Sequence, residues 1–112
     1  MGAASQLLEP VGRLEGVLDG RDAPAVRDAL YAAVAAAEPG SVCVLDVSHA
    51  TLVDLTVLRA VAVASRHAER NGVRVVLRGG SAAARRCAQL AGLSRWIHWD
   101  RSPGGDSLTS RR

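Results

Sequence analysis

Lysine and phenylalanine are absent from this 112-residue chain, and aromatic residues make up only 3% of it, as one Tyr and two Trp. A core must therefore come from Val, Leu and Ala, which are plentiful in a chain that is 48% apolar. Without lysine, every cationic side chain apart from the three His is Arg. With the Ala and Gly load, this reads as the codon bias of a high-GC genome rather than a physical requirement. Cysteine is scarce too: Cys43 and Cys87 lie far apart in apolar surroundings, whereas a disulfide scaffold needs more cysteines in a secreted chain. Both are expected as small, reduced, buried hydrophobes. No apolar run approaches the roughly 20 residues needed to cross a bilayer. The first residues lack the basic region and apolar stretch of a signal peptide. The expectation is a cytoplasmic protein that meets no membrane. The formal charge is +3, and Arg111 and Arg112 supply much of it, so the rest of the chain is nearly balanced. Weak attraction to acidic partners is allowed; nucleic-acid binding is not implied.

What is present is a strand–helix–strand pattern. The apolar run Val42 to Val47 (VCVLDV) leads through Ser48, His49 and Ala50 to Asp54 and Thr56, which open an Ala-rich helix running to about Arg70. A second apolar run, Val73 to Leu77, follows Asn71-Gly72. Short connections make this a parallel βαβ unit with a right-handed crossover. The Val42 strand is apolar at nearly every position, as expected if helices or core cover both faces. Upstream, Leu7 to Asp19 reads as two short extended pieces, the better strand near residues 13–18. Asp22 is expected to cap a helix from near Pro24 whose stripe is Val26, Ala29, Leu30, Ala33 and Ala37 and which ends at Pro39-Gly40. In the central helix Leu58, Val61, Ala62, Ser65 and Ala68 face inward, and Arg59, Arg66 and Arg70 form an opposite ridge. Ser81 caps a short helix, Ala82 to Ala91, that Gly92 ends. Trp96 to Trp99 reads as a last strand. Residues 1–100 form one domain; residues 1–6 read as frayed and 101–112 as a disordered tail.

Several residues could carry chemistry. Asp54 and Thr56 sit two apart at a helix start, where one can cap backbone N–H groups while the other presents a hydroxyl beside the positive end of the helix dipole. From periodicity alone, plain helix capping is the favoured reading of the pair. A phosphate on that hydroxyl would place nearly two negative charges on a surface otherwise fit for packing. Gly79-Gly80-Ser81 has the geometry of a phosphate-binding turn but lacks the Lys of a P-loop and the dinucleotide spacing, so a turn with a helix cap is favoured. Asp46, Ser48 and His49 hold the residue types of a hydrolytic triad, yet adjacent residues on a strand point to opposite faces. No nucleophile elbow and no metal-ligand spacing is present. Arg59 lies one turn from Thr56, where it could border a protein interface.

From Ser41 to Asp100 the chain resembles a STAS domain, the fold of anti-sigma factor antagonists. The likeness rests on VCVLDVS, ATLVDLTVLRAVAVA and NGVRVVLRGGSAAARRCAQLAGLSRWIHWD, with GRLEGVLDGRDAPAVRDAL resembling the family's "G-x-L-D-x-x-x-A-P-x-L-R" pattern. The resemblance implies a single α/β domain, a mixed β-sheet flanked by α-helices, with a phosphorylatable hydroxyl at the start of the second helix. Where the family commonly reads D-S-S-G-L, Asp54 keeps the Asp and Leu55 replaces the first Ser. Thr56 takes the phosphoacceptor place, Val57 replaces the Gly and Leu58 keeps the Leu. The implied role is an anti-sigma factor antagonist without enzymatic activity, docking a kinase-type anti-sigma factor through Asp54, Leu55, Val57, Leu58 and Arg59 and released when Thr56 is phosphorylated. The partner would bring ATP and magnesium, and this chain needs no cofactor of its own; a homodimer stays open. The alternative is a STAS scaffold subunit with a silent switch that binds its partners constitutively.

Overall fold

A computed structural model describes residues 9–100. The segments expected to fray (1–6) and to form a disordered tail (101–112) lie outside the described residues. Four strands, β1 (Pro10–Val17), β2 (Val42–Thr51), β3 (Arg74–Arg78) and β4 (His98–Asp100), alternate with three helices, α1 (Ala23–Ala36), α2 (Leu55–Arg70) and α3 (Ala82–Leu90). The sheet order is β1-β2-β3-β4 and all three pairings are parallel. The α/β class is as expected, but the described strands form a parallel rather than a mixed sheet, because a helix separates each strand from the next. β1 is one strand instead of two pieces. Pro10, which has no N–H to give a ladder, stands at its first position.

Successive strands are added in one direction, and right-handed crossovers repeated in one direction put every helix on the same face. The core bears this out. Cys43, Leu45 and Val47 of β2, with Val75 and Leu77 of β3, join buried residues of all three helices in a single cluster. The helices cover one face of β2. On the other, Val44 is 1% exposed although it stands outside that cluster, so the middle of the strand is buried on both faces as expected, while Val42 at its start is 39% exposed. The outer face also carries ion pairs: Arg13 Nε lies 3.4 Å from Asp46 Oδ2, and Arg78 Nε 3.0 Å from Asp100 Oδ2.

The helix faces follow from spacing, with one shift. All five residues expected inward on α2 are buried, joined by Val57 and Ala64. On α1 the buried stripe is Ala23, Val26, Leu30 and Val34; Ala29 is exposed and Ala33 and Ala37 are only half-buried. Asp22 precedes α1 but makes no side-chain cap. It instead accepts the Asp19 N–H at 2.8 Å, within the capping box of a 3-10 turn at Gly20–Asp22. Cys43 is buried and Cys87 half-buried, both free thiols; burial pushes the Cys43 thiol up and keeps it protonated.

Ser65 is 1% exposed within α2, and its hydroxyl has no hydrogen-bond partner. A buried, unsatisfied hydroxyl costs about 1–3 kcal/mol, so Ser65→Ala is expected to be neutral or stabilising by about 1 kcal/mol. Thermal unfolding of the two forms checks this; a loss in Tm would reveal a partner for that hydroxyl.

Candidate functional site

Leu52, 1% exposed, anchors the chain after β2, and Val53 then leads to Asp54 at the amino terminus of α2. The extended backbone of Asp54 lets its Oδ1 accept the N–H of Thr56 at 2.8 Å and of Val57 at 3.1 Å. That satisfies two of the orphan donors of the first turn and fixes where the helix starts. Thr56 is exposed, and its side chain turns toward the 3-10 turn that precedes α1. A Cβ built on Gly20 would lie 3.9 Å from Thr56 Oγ1, so the missing side chain there leaves the hydroxyl approachable.

The two helix starts enclose an open groove of about 350 Å³, with Ala23, Pro24 and Arg27 on the α1 side and Thr56, Arg59 and Val63 on the α2 side. Its walls are apolar, and two guanidinium groups border it. Leu55, 42% exposed, stands at the same helix start, and Val63 on the α2 wall is 53% exposed. A surface of this kind, with apolar walls and arginine at its border, suits protein contact better than catalysis.

The predicted docking residues separate here. Asp54, Leu55, Thr56 and Arg59 reach the surface, but Val57 and Leu58 are 0% exposed and belong to the core. No partner can touch those two in the folded domain. Helical periodicity explains it: positions 57, 58, 61, 65 and 68 fall on the buried stripe that also carries the core residues of α2. Sequence reasoning missed Gly20, Ala23, Pro24 and Arg27, which come from another helix start; the D-x-x-x-A-P spacing marks that turn but not what it faces. The arginine ridge also divides. The Arg66 guanidinium stacks 5.1 Å from the Trp96 ring centroid, with Arg95 at 5.7 Å from the same ring, while Arg59 borders the groove.

Asp46, Ser48 and His49 are brought together after all. The Ser48 hydroxyl donates to Asp46 Oδ1 at 2.6 Å and lies 3.1 Å from His49 Nδ1. A register shift explains this, since Asp46 to His49 of β2 stand opposite only Arg13 to Glu15 of β1. Such a bulge re-aims side chains. Burial is the largest single influence on the Asp46 carboxyl and opposes its ionisation. Hydrogen bonds from the Ser48 hydroxyl and N–H, with Arg13 and His49 nearby, outweigh it and hold the carboxyl below its ordinary value. In a hydrolytic triad the imidazole stands between hydroxyl and carboxylate. Here the hydroxyl proton goes directly to the carboxylate, so His49 does not activate Ser48. Gly79-Gly80-Ser81 likewise serves packing and capping. Gly79 abuts Ser48, Gly80 abuts the Trp99 ring, and Ser81 Oγ accepts the Ala84 N–H at 3.0 Å.

A family profile described as "Mlab, STAS domain" matches residues 1–98. The chain belongs to the STAS domain family. STAS domains are generally non-enzymatic modules that mediate protein–protein interaction, in keeping with a groove that presents apolar walls and arginines and no activated nucleophile. No curated protein matches the chain. Among the described residues no helix of this STAS domain is long and apolar enough to cross a membrane, and no cluster of His, Cys, Asp or Glu could hold a metal ion.

Proposed function

We propose that this STAS domain is an anti-sigma factor antagonist that docks a kinase-type anti-sigma factor through the surface around Thr56. Asp54, Leu55 and Arg59 form its rim on α2, and the first turn of α1 lies opposite. The observation that carries this reading is the exposed Thr56 hydroxyl at the mouth of an apolar, arginine-bordered groove. In the switch, Thr56 Oγ1 forms a bond to the γ-phosphorus of the partner's ATP. The bond from that phosphorus to the β,γ-bridging oxygen breaks, ADP leaves, and the hydroxyl proton passes to a base on the kinase. The added charge then opposes docking.

A second reading, a STAS scaffold that binds constitutively, draws on a different observation. Leu55 and Val63 make the rim more apolar than a solvated phosphoacceptor loop needs, which suits a permanent contact. Intact mass after incubation with the candidate kinase and ATP separates the two. The switch predicts a gain of one phosphate that Thr56→Ala abolishes. An unchanged mass, with docking retained, favours the scaffold.

A further inference from the structure

A phosphate on Thr56 has an unusual neighbourhood. At a helix amino terminus it would ordinarily turn to the backbone N–H groups of the first turn. Here Asp54 Oδ1 already holds the N–H groups of Thr56 and Val57, at 2.8 and 3.1 Å, and its carboxylate repels a second anion from that side. On the other side there is room. Gly20 has no side chain, and a Cβ there would come within 3.9 Å of Thr56 Oγ1, where phosphate oxygens would stand. Arg27 and Arg59 border the space beyond. Arg59 is three residues along the same helix from Thr56, on neighbouring surface positions. Among the described residues Arg27 meets a carboxylate only at an exposed contact, Nε to Asp28 Oδ1 at 3.3 Å, which is weak and exchangeable in water.

We propose that Arg27 and Arg59 form an in-chain receptor for a phosphate on Thr56, so that modification fills the groove with the domain's own ion pairs. The inference rests on reading Thr56 as a phosphoacceptor. It adds how the switch acts. Unmodified, the two guanidinium groups are available to carboxylates of a docking partner; once phosphate is present, they turn inward and the groove is occupied. Planar guanidinium groups suit phosphate because they give paired N–H donors. Arg21, next to Gly20, is the other cation nearby; it pairs with Asp19 at 3.1 Å in a contact that is exposed as well, but it does not line the groove. Asp54, which caps α2, brings a carboxylate beside the hydroxyl, and it opposes the dianion.

The test installs phosphothreonine at position 56 of the full chain by genetic encoding, with no kinase or partner present, and follows its second ionisation by phosphorus NMR. An exposed phosphate titrates near about 6. In the Arg27→Gln, Arg59→Gln double variant the midpoint is expected to rise by about half a unit or more over the parent, each single variant giving part of it. Arg66→Gln, on the same helix but stacked on Trp96, should leave the midpoint where it is. Identical midpoints in parent and double variant overturn the proposal. So does an equal rise in Arg66→Gln, which would show a general field rather than a receptor. Because no partner enters the measurement, failure to dock an anti-sigma factor would sink the functional reading and leave this result intact.

Discussion

Gly79→Val is expected to unfold most of the domain. Gly79 closes β3 at φ +82°, a conformation that side-chain-bearing residues rarely adopt, at a cost of roughly 1–2 kcal/mol. A Cβ there would stand 2.5 Å from Ser48 Cβ and 2.9 Å from its Cα. The obstacle is therefore the backbone of β2, which cannot swing aside as a flexible side chain could. Relief requires β2 and β3 to part where Asp46 pairs with Arg78, at the edge of the core. Overpacking adds about 1–3 kcal/mol, and β-branching adds more. Against a total stability of about 5–15 kcal/mol, the sum removes a large share. Gly92→Ala is the control: its φ is +76°, but nothing lies within 4 Å of its Cβ position, so only the same conformational cost of roughly 1–2 kcal/mol applies. Denaturant unfolding of the three proteins gives the comparison. A Gly79→Val variant as stable as Gly92→Ala would show that the loop is free to lift from Ser48.

On the proposed antagonist reading, Thr56→Glu should weaken docking of a kinase-type anti-sigma factor by roughly a hundredfold, while Thr56→Ala costs about tenfold or less. The side chain stands at the mouth of an apolar groove. A carboxylate there has two fates in a complex. Desolvated without a partner, it costs several kcal/mol, at about 1.4 kcal/mol per tenfold in affinity. Paired with Arg27 or Arg59, it takes from the partner the charges that the groove offers. Both oppose binding. Alanine removes only a methyl and a solvated hydroxyl, and Asp54 still caps the helix through backbone N–H groups that the substitution leaves in place. Calorimetry of the three forms against the candidate partner reads the difference. Equal affinities would move the interface away from Thr56.

The α2 stripe was legible in the sequence because it depends on local spacing: apolar residues at intervals of three and four, Asp54 before the first turn and Asn71-Gly72 after the last. The parallel βαβ unit was legible for the same reason, since short connections leave few ways to return a strand. Family membership was carried by motifs spread over most of the chain. Three things waited for the tertiary structure. One is the sheet's sidedness: apolar residues run along Val42 to Val47 whether helices cover both faces or one, so the order β1-β2-β3-β4 had to decide it. Another is the meeting of Ser48 with Asp46 and His49, which depends on a register shift that β2 acquires only by pairing with β1. The last is the site. The family resemblance placed Val57 and Leu58 on the docking rim beside Thr56, but the helix turns both inward, and Gly20 and Arg27 arrive from a separate helix start in their place. Spacing along one segment fixes which side of that segment is buried; what faces the other side depends on contacts between segments, which the chain makes only on folding.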